Sequence, residues 1–242
     1  MKADREQQDL LVQLAELDAE LSRLTYRGAH LPEQQRYDEV SAAQREAAER
    51  VSVLGLALED LDAEVARLEA EVDAVRRRED RDRALLDSGS VAAKQLEELQ
   101  HELDTLSRRQ ASLEDSLLEV MERREELGAE HAGAQAGAEA LERDAHDAGH
   151  ARDLALAGIE QARTEQTARR AELAAGLAAE LAELYERQRS AGGAGAARLR
   201  GGRCEACRIE LDRGELARIA AAPEDDVLRC PECRAILVRS KG

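Results

Sequence analysis

The sequence predicts a mainly α-helical protein: a long, kinked antiparallel coiled-coil hairpin followed by a small β-rich module at the C-terminal end. Composition, the spacing of apolar residues and a C-terminal group of four cysteines lead to this prediction. The 242 residues include no Phe or Trp and three Tyr, 36% of them are charged, and the formal net charge is -17. Aromatic side chains supply much of the buried area of a globular core, so their near absence favours helices that bury a narrow apolar stripe.

Apolar residues recur in alternating steps of three and four along two stretches of the chain, which is the heptad spacing of a coiled coil. The first stretch comprises Val51, Leu54, Leu58, Leu61, Val65, Leu68, Val72 and Val75. The second comprises Leu96, Leu99, Leu103, Leu106, Leu113, Leu117 and Val120, with the polar residue Gln110 at one position of the series. Two such stretches predict two long helices that pack along a common seam.

A polar segment between these stretches, residues 87–90, predicts the tip of the hairpin. Gly89 permits a positive φ, and the neighbouring Asp and Ser side chains, including that of Ser90, are suited to capping the returning helix. If the chain folds back at residues 87 and 88, facing residues have numbers that sum to 174 or 175. This register places Leu61 opposite Leu113.

Helix-breaking residues predict a kink near residues 27–32, where Gly28 and Pro32 lie. Proline suits the first turn of a helix but does not allow a preceding helix to continue. The helix that returns from the tip is predicted to reach about Arg189, and the same register places residues 146–150 opposite the kink, so we expect a joint in both helices there. We therefore assign residues 1–190 to the coiled-coil hairpin domain.

Four cysteines, Cys204, Cys207, Cys230 and Cys233, form two Cys-x-x-Cys pairs separated by 22 residues. One tight turn aims two thiolates at a common point, and two such turns complete the tetrahedral set that Zn²⁺ accepts. Disulfides are the alternative, but the chain opens as a polar helix without a signal peptide or a membrane-spanning stretch, so we expect a cytoplasmic, reducing setting. These four residues are the predicted zinc ligands, and residues 204–242 form the predicted C4 zinc ribbon.

A Gly/Ala-rich linker and the first ribbon strand are predicted over residues 191–203, with the strand at Ala196 to Arg200. Glycine-rich segments behave as flexible chains. The sequence therefore predicts that the ribbon swivels relative to the hairpin.

A long antiparallel hairpin with a break near residue 30, followed by Cys204-x-x-Cys207 and Cys230-Pro231-Glu232-Cys233, resembles the bacterial C4-type zinc-ribbon coiled-coil proteins. The resemblance spans nearly all of the chain, and its Arg and Ala bias is similar to the actinobacterial branch. It implies a regulator or chaperone-like adaptor, of the kind that serves flagellar or type III secretion systems and binds an alternative sigma factor or, in one lineage, a messenger RNA. The chain departs from the family pattern at Arg208 and Arg234, where glycine often follows the second cysteine of a turn.

Two functions follow from these features. The first is a non-enzymatic adaptor or regulator whose coiled coil and zinc ribbon bind protein partners, in transcription, secretion or assembly. The alternative is RNA or DNA binding by the arginine-bearing ribbon. Residues 1–190 hold 25 basic and 44 acidic side chains, which repel phosphate, and the ribbon has no aromatic residue for base stacking, so protein partners rank first. No catalytic or cofactor-binding residues beyond the zinc ligands are expected, because four cysteines fill the metal's coordination positions.

Overall fold

The computed structural model describes residues 1–89 and 92–239, and these form two compact units. One unit comprises Met1–Gln34 and His150–Gly242, and the other comprises Gln35–Gly149. Ser90, predicted as a helix cap, and residues 240–242 of the predicted ribbon lie outside the described residues. In the part of the chain that is described, no helix has both the length and the apolar character needed to cross a bilayer.

Five helices and four short strands make up the described chain, which confirms the predicted mainly α fold with a β-rich C-terminal module. The helices are α1 (Arg5–Ala29), α2 (Pro32–Asp87), α3 (Ala93–Ala175), α4 (Ala179–Ser190) and α5 (Arg213–Ala221). The strands are β1 (Ala196–Arg200), β2 (Arg203–Cys204), β3 (Leu228–Arg229) and β4 (Ile236–Arg239).

Within the Gln35–Gly149 unit, α2 and α3 bury a shared apolar seam. Its buried residues are Leu68, Val72, Leu113 and Val120, with Leu61, Val65, Val75 and Leu117 packed against them. The predicted heptad positions therefore form the interface between the two helices. Polar side chains flank the seam and pair across it.

The predicted register between α2 and α3 is wrong, because the residue numbers of ion pairs across the seam sum to between 180 (Arg78 with Glu102) and 190 (Arg76 with Glu114) and not to 174 or 175. Arg109 of α3 pairs with Glu71 at 3.3 Å, whereas the prediction placed residue 103 or 104 there. Arg50 pairs with Glu130 at 2.7 Å, whereas residue 124 or 125 was expected. The reason is that α2 ends at Asp87 and α3 begins only at Ala93, so more residues separate the two helices than predicted, and a heptad pattern looks the same after a shift of seven residues.

Two acidic residues continue the seam of α2 toward the tip. Glu79 and Asp82 follow Val75 in steps of four and three, and only 4% and 6% of their surfaces are exposed. Arg83 contacts one carboxylate oxygen of Glu79 at 3.1 Å, while the other oxygen is buried without a hydrogen-bond partner. Burial of a carboxylate with an unsatisfied oxygen weakens this end of the seam.

The returning helix is interrupted after Ala175, whereas the joint predicted at residues 146–150 is wrong because those residues lie within α3. Helix α3 ends at Ala175 and α4 begins at Ala179. The side chain of Gln7 bridges the gap, because its Nε2 donates to the carbonyl of Gly176 at 2.8 Å and its Oε1 accepts from the amide of Ala178 at 2.8 Å. A side chain from α1 thus satisfies backbone groups that the interruption would leave unpaired.

The strands form one sheet in the order β2-β1-β4-β3, with β1 and β4 parallel and the outer pairs antiparallel. Ala196 pairs with Ile236 and Ala197 with Leu237 in the central pair. Because successive strand residues point to opposite faces, the sheet presents one face to the helices and the other to the cysteines.

The linker does not let the ribbon swivel, which corrects the sequence prediction. Gly195 accepts a hydrogen bond from the amide of Ile236 at 3.0 Å, and Ala196 is buried in a core with side chains of α1 and α4. Gly195 also lies against the ring of Tyr185, where a Cβ atom would come within 2.6 Å of the ring carbons Cδ2 and Cζ. This glycine permits close packing rather than flexibility.

Candidate metal centre

Two similar turns position the cysteine pairs. In the first, the amide of Arg208 donates to the carbonyl of Cys204 at 2.8 Å; in the second, the amide of Arg234 donates to the carbonyl of Cys230 at 3.0 Å. Cys204 ends β2 and Cys230 directly follows β3, so each turn leaves the sheet from an edge strand. The sheet therefore sets the distance between the two cysteine pairs.

The residue after each pair adopts a left-handed backbone conformation. Arg208 has φ 60° and Arg234 has φ 63°, a region that glycine enters without steric cost. Each arginine raises the free energy of the folded state by about 1 kcal/mol relative to an unstrained residue. The departure from glycine noted in the sequence is thus a real source of strain in both turns.

All four predicted ligands come together, with their sulfur atoms within 4.8 Å of one another. The sulfurs of Cys204 and Cys233 are 3.9 Å apart, as are those of Cys207 and Cys230. Zn–S bonds of about 2.3 Å in a tetrahedron require sulfur separations of about 3.8 Å. The four sulfurs fit a tetrahedral metal ion, and among the described residues no other cluster of three or more His, Cys, Asp or Glu side chains meets the same criterion.

Backbone amides and burial act in opposite directions on the thiols. Burial raises the pKa of Cys204 to about 12 even though the amides of Ala206 and Cys207 donate to its sulfur. Burial likewise raises the pKa of Cys233, which accepts from the amide of Ala235. Burial works in the same sense on Cys207, but the Ile209 amide and the neighbouring thiols outweigh it and lower its pKa. A cation at the centre would supply the charge that these sulfurs need to become thiolates.

The ligands are part of the ribbon's apolar core. Cys204 and Cys230 are buried with Ala197 and Leu237 of the central strands, and with Leu211, Ile219, Leu228 and Ala235. Cys207 and Cys233 lie partly exposed at the edge of this core. A metal ion bound by these cysteines and the small apolar core would therefore stabilise each other.

Sequence reasoning missed the residues that anchor the ribbon to the helices. Tyr185 is completely buried, and its hydroxyl donates to Asp18 at 2.7 Å. Arg170 donates to the same carboxylate at 2.6 Å, which connects α1, α3 and α4. The rarity of tyrosine could have indicated the importance of Tyr185, because it is one of only three tyrosines in the sequence.

The geometry agrees with comparisons to known proteins. Residues 14–193 match the model of the CT398-like coiled-coil hairpin domain, and residues 203–237 match that of the C4-type zinc ribbon domain. The chain belongs to the CT398-like coiled-coil hairpin family. All four clustered cysteines lie within the residues that match the C4-type zinc ribbon domain.

Mycobacterial relatives match this family member over 95% of its length or more. Rv2229c of Mycobacterium tuberculosis is 57% identical over 242 residues, which is 100% of this chain and 99% of the relative. ML1638 of Mycobacterium leprae is 42% identical over 229 residues, covering 95% of this chain and 99% of the relative.

Solved structures show the same fold. A Mycobacterium smegmatis protein has a TM-score of 0.88 and 55% identity, covering 99% of this chain and 100% of its own. CT398 from Chlamydia trachomatis has a TM-score of 0.68 at 15% identity, covering 98% of this chain and 100% of its own. At that identity the similarity to CT398 shows the fold alone.

Proposed function

We propose that this protein is a non-enzymatic, zinc-binding adaptor that holds protein partners through its coiled coil and its ribbon. The observation that carries the proposal is the set of four cysteine sulfurs at tetrahedral spacing. Four protein ligands fill every position of a tetrahedral Zn²⁺ and leave none for water or substrate, which is the arrangement of a structural zinc site. Zinc then serves to fold a binding module, and we assign the protein to the cytoplasm because free thiols persist in a reducing compartment.

Exposed apolar side chains outside the seam support a protein partner. On α2, Val53 and Leu56 are exposed, and on α3, Leu118 and Met121 are exposed. Each pair has a spacing of three, so its members lie on the same face of their helix. Large apolar side chains that contribute nothing to the hairpin's own seam are suited to a contact with another protein.

A second candidate, nucleic-acid binding, is supported by a cleft beside the first cysteine turn. Arg200, Arg203 and Arg208 line this cleft together with Cys204 and Glu205. The ion pairs there are long, 3.8 Å from Arg200 to Glu205, so the guanidinium groups are only weakly neutralised. Such a cleft is suited to binding the phosphate groups of a nucleic acid. Transcription or secretion machinery contains both proteins and RNA, so either could be the partner.

The two candidates are separated by cross-linking in cells followed by affinity purification of the full chain. We expect Leu118→Glu with Met121→Glu to abolish recovery of the cross-linked protein, because two charges replace apolar contacts. The matched control is Leu154→Glu, which alters an equally exposed leucine of α3 in the other unit.

A nuclease step decides between the outcomes. Recovery that survives nuclease and is lost only in the Leu118/Met121 variant supports the adaptor. RNA recovered by the wild type and lost in a variant with Arg200, Arg203 and Arg208 changed to Glu supports the second candidate instead. A protein partner retained by every variant would contradict the proposed use of the coiled-coil surface.

A further inference from the structure

We propose that α1 and α4 tune the affinity of the metal site, so that Leu14 and Gln8 are positioning residues for a zinc ion that they do not touch. The proposal concerns this chain's own fold and is independent of any partner. It rests on one sheet that belongs to two buried cores and on a hydrogen-bonded segment that leads into the second cysteine turn.

The central strands connect the two cores. Ala196 and Ile236, which pair with each other, are buried in a core with Leu11, Leu14 and Tyr185 of the helices. The adjacent pair, Ala197 and Leu237, is buried with Cys204 and Cys230 on the opposite face. A displacement of β1 against β4 on the helix side therefore changes the cysteine side as well.

Each cysteine turn is attached to one of these central strands. Cys204 pairs with Leu199 of β1, and Leu228, two residues before Cys230, pairs with Leu237 of β4. The separation of the two cysteine pairs thus depends on the pairing of β1 with β4. Leu14 and the other helix residues of its core pack against the opposite face of β1 and β4, and this packing stabilises the pairing of the two strands.

The N-terminal segment fixes the approach to the second turn. The amide of Ala3 donates to the carbonyl of Asp225 at 2.8 Å, and the amide of Val227 donates to that of Met1 at 3.2 Å. Gln8, only 3% exposed, donates from Nε2 to the carbonyls of Ala3 and Glu224, both at 2.9 Å. These bonds hold residues 224–227, which lead directly into β3 and Cys230.

Because the sheet connects the metal site to the helices, the free energies of metal binding and of helix packing are coupled, and the coupling is the same in both directions. If packing by Leu14 favours the arrangement that binds zinc, zinc must favour that packing by the same factor. Coupling between sites in one protein spans about 5-fold to 150-fold. We expect Leu14→Ala to lower zinc affinity about tenfold, with a smaller reduction for Gln8→Ala, which removes two hydrogen bonds and little apolar area.

The experiment uses the full-length protein loaded with Zn²⁺ alone and measures equilibrium transfer of zinc to a chromophoric chelator. Leu24→Ala is the matched control, because Leu24 is a buried leucine of the same helix but belongs to a separate cluster with Leu31 and Ile159. The control should lose thermal stability and keep its zinc affinity. Spectra of the Co²⁺-substituted variants should retain the bands of tetrahedral thiolate coordination, which shows that all four ligands still bind.

Hydrogen exchange tests the reverse direction. Removal of zinc by the chelator should speed amide exchange in α1 between residues 8 and 17, and leave the seam residues 61–75 of α2 unchanged. Wild-type zinc affinity in Leu14→Ala would overturn the proposal. If that variant fails to fold, wild-type affinity in Gln8→Ala, or unchanged exchange in α1 after zinc removal, overturns it equally.

Discussion

Replacement of Gly195 by alanine places a methyl group where the ring of Tyr185 lies. The new Cβ atom would be 2.6 Å from ring atoms Cδ2 and Cζ, well inside van der Waals contact. The ring has little freedom to move, because it is fully buried and its hydroxyl is bonded to Asp18. Overpacking of this kind costs about 1 to 3 kcal/mol, and loss of the tyrosine hydrogen bond adds about 1 kcal/mol.

The expected cost is therefore about 3 kcal/mol, and native-state hydrogen exchange of β1 and β4 measures it locally. Amides of these strands should exchange about a hundredfold faster in Gly195→Ala, since 1.4 kcal/mol corresponds to a factor of ten. The matched control is Gly193→Ala in the same linker, where the added Cβ meets its nearest neighbours at an ordinary 3.7 Å. In a Tyr185→Leu background the cost of Gly195→Ala should largely disappear. Equal exchange rates in the Gly193 and Gly195 variants would refute the close packing and restore the flexible linker that the sequence predicted.

Three further predictions concern strain, a buried acid and pH. Arg208→Gly should stabilise the ribbon by about 0.5 to 1 kcal/mol in urea unfolding, because it relieves a left-handed conformation, whereas Arg203→Gly in β2 should destabilise it. Glu79→Leu should stabilise the hairpin by about 2 kcal/mol, because it removes a buried carboxylate with an unpartnered oxygen. Glu69→Leu, at an exposed position of α2, should change stability little. Equal effects of the two substitutions would contradict the burial of an unpaired carboxylate at Glu79. Burial opposes ionisation of Asp18, but hydrogen bonds from Arg170 and Tyr185 outweigh burial and lower its pKa below 3.8. The contribution of this carboxylate to the free energy of unfolding is therefore present above about pH 4 and is lost as the pH falls through the lowered pKa. Asp18→Asn should therefore cost about 3 kcal/mol at pH 7 and progressively less in acid, and a cost independent of pH would show that the carboxylate charge is not involved.

Local patterns predicted the ligands and the type of each long element. The spacing of Cys204, Cys207, Cys230 and Cys233 follows from the reach of a two-residue turn, which is a property of neighbouring residues. Heptad spacing likewise reports which face of a helix is buried, whatever the partner. Pro32 at the start of α2 acts through its own missing amide hydrogen.

Tertiary contacts between distant residues decided the rest. The register of α2 on α3 depends on the length of a turn, and a pattern that repeats every seven residues does not distinguish one heptad from the next. The interruption before α4 depends on Gln7, about 170 residues away in the chain. Its side chain forms hydrogen bonds with backbone groups that the interruption would otherwise leave unpaired. Gly195 looks like a linker residue by composition, and only the position of the Tyr185 ring makes it part of a core. The sequence by itself determined which cysteines form the candidate metal site and which helix faces are apolar, because those are local properties. The anchoring of the ribbon arose from packing among α1, α4 and the sheet, which only the folded chain brings together.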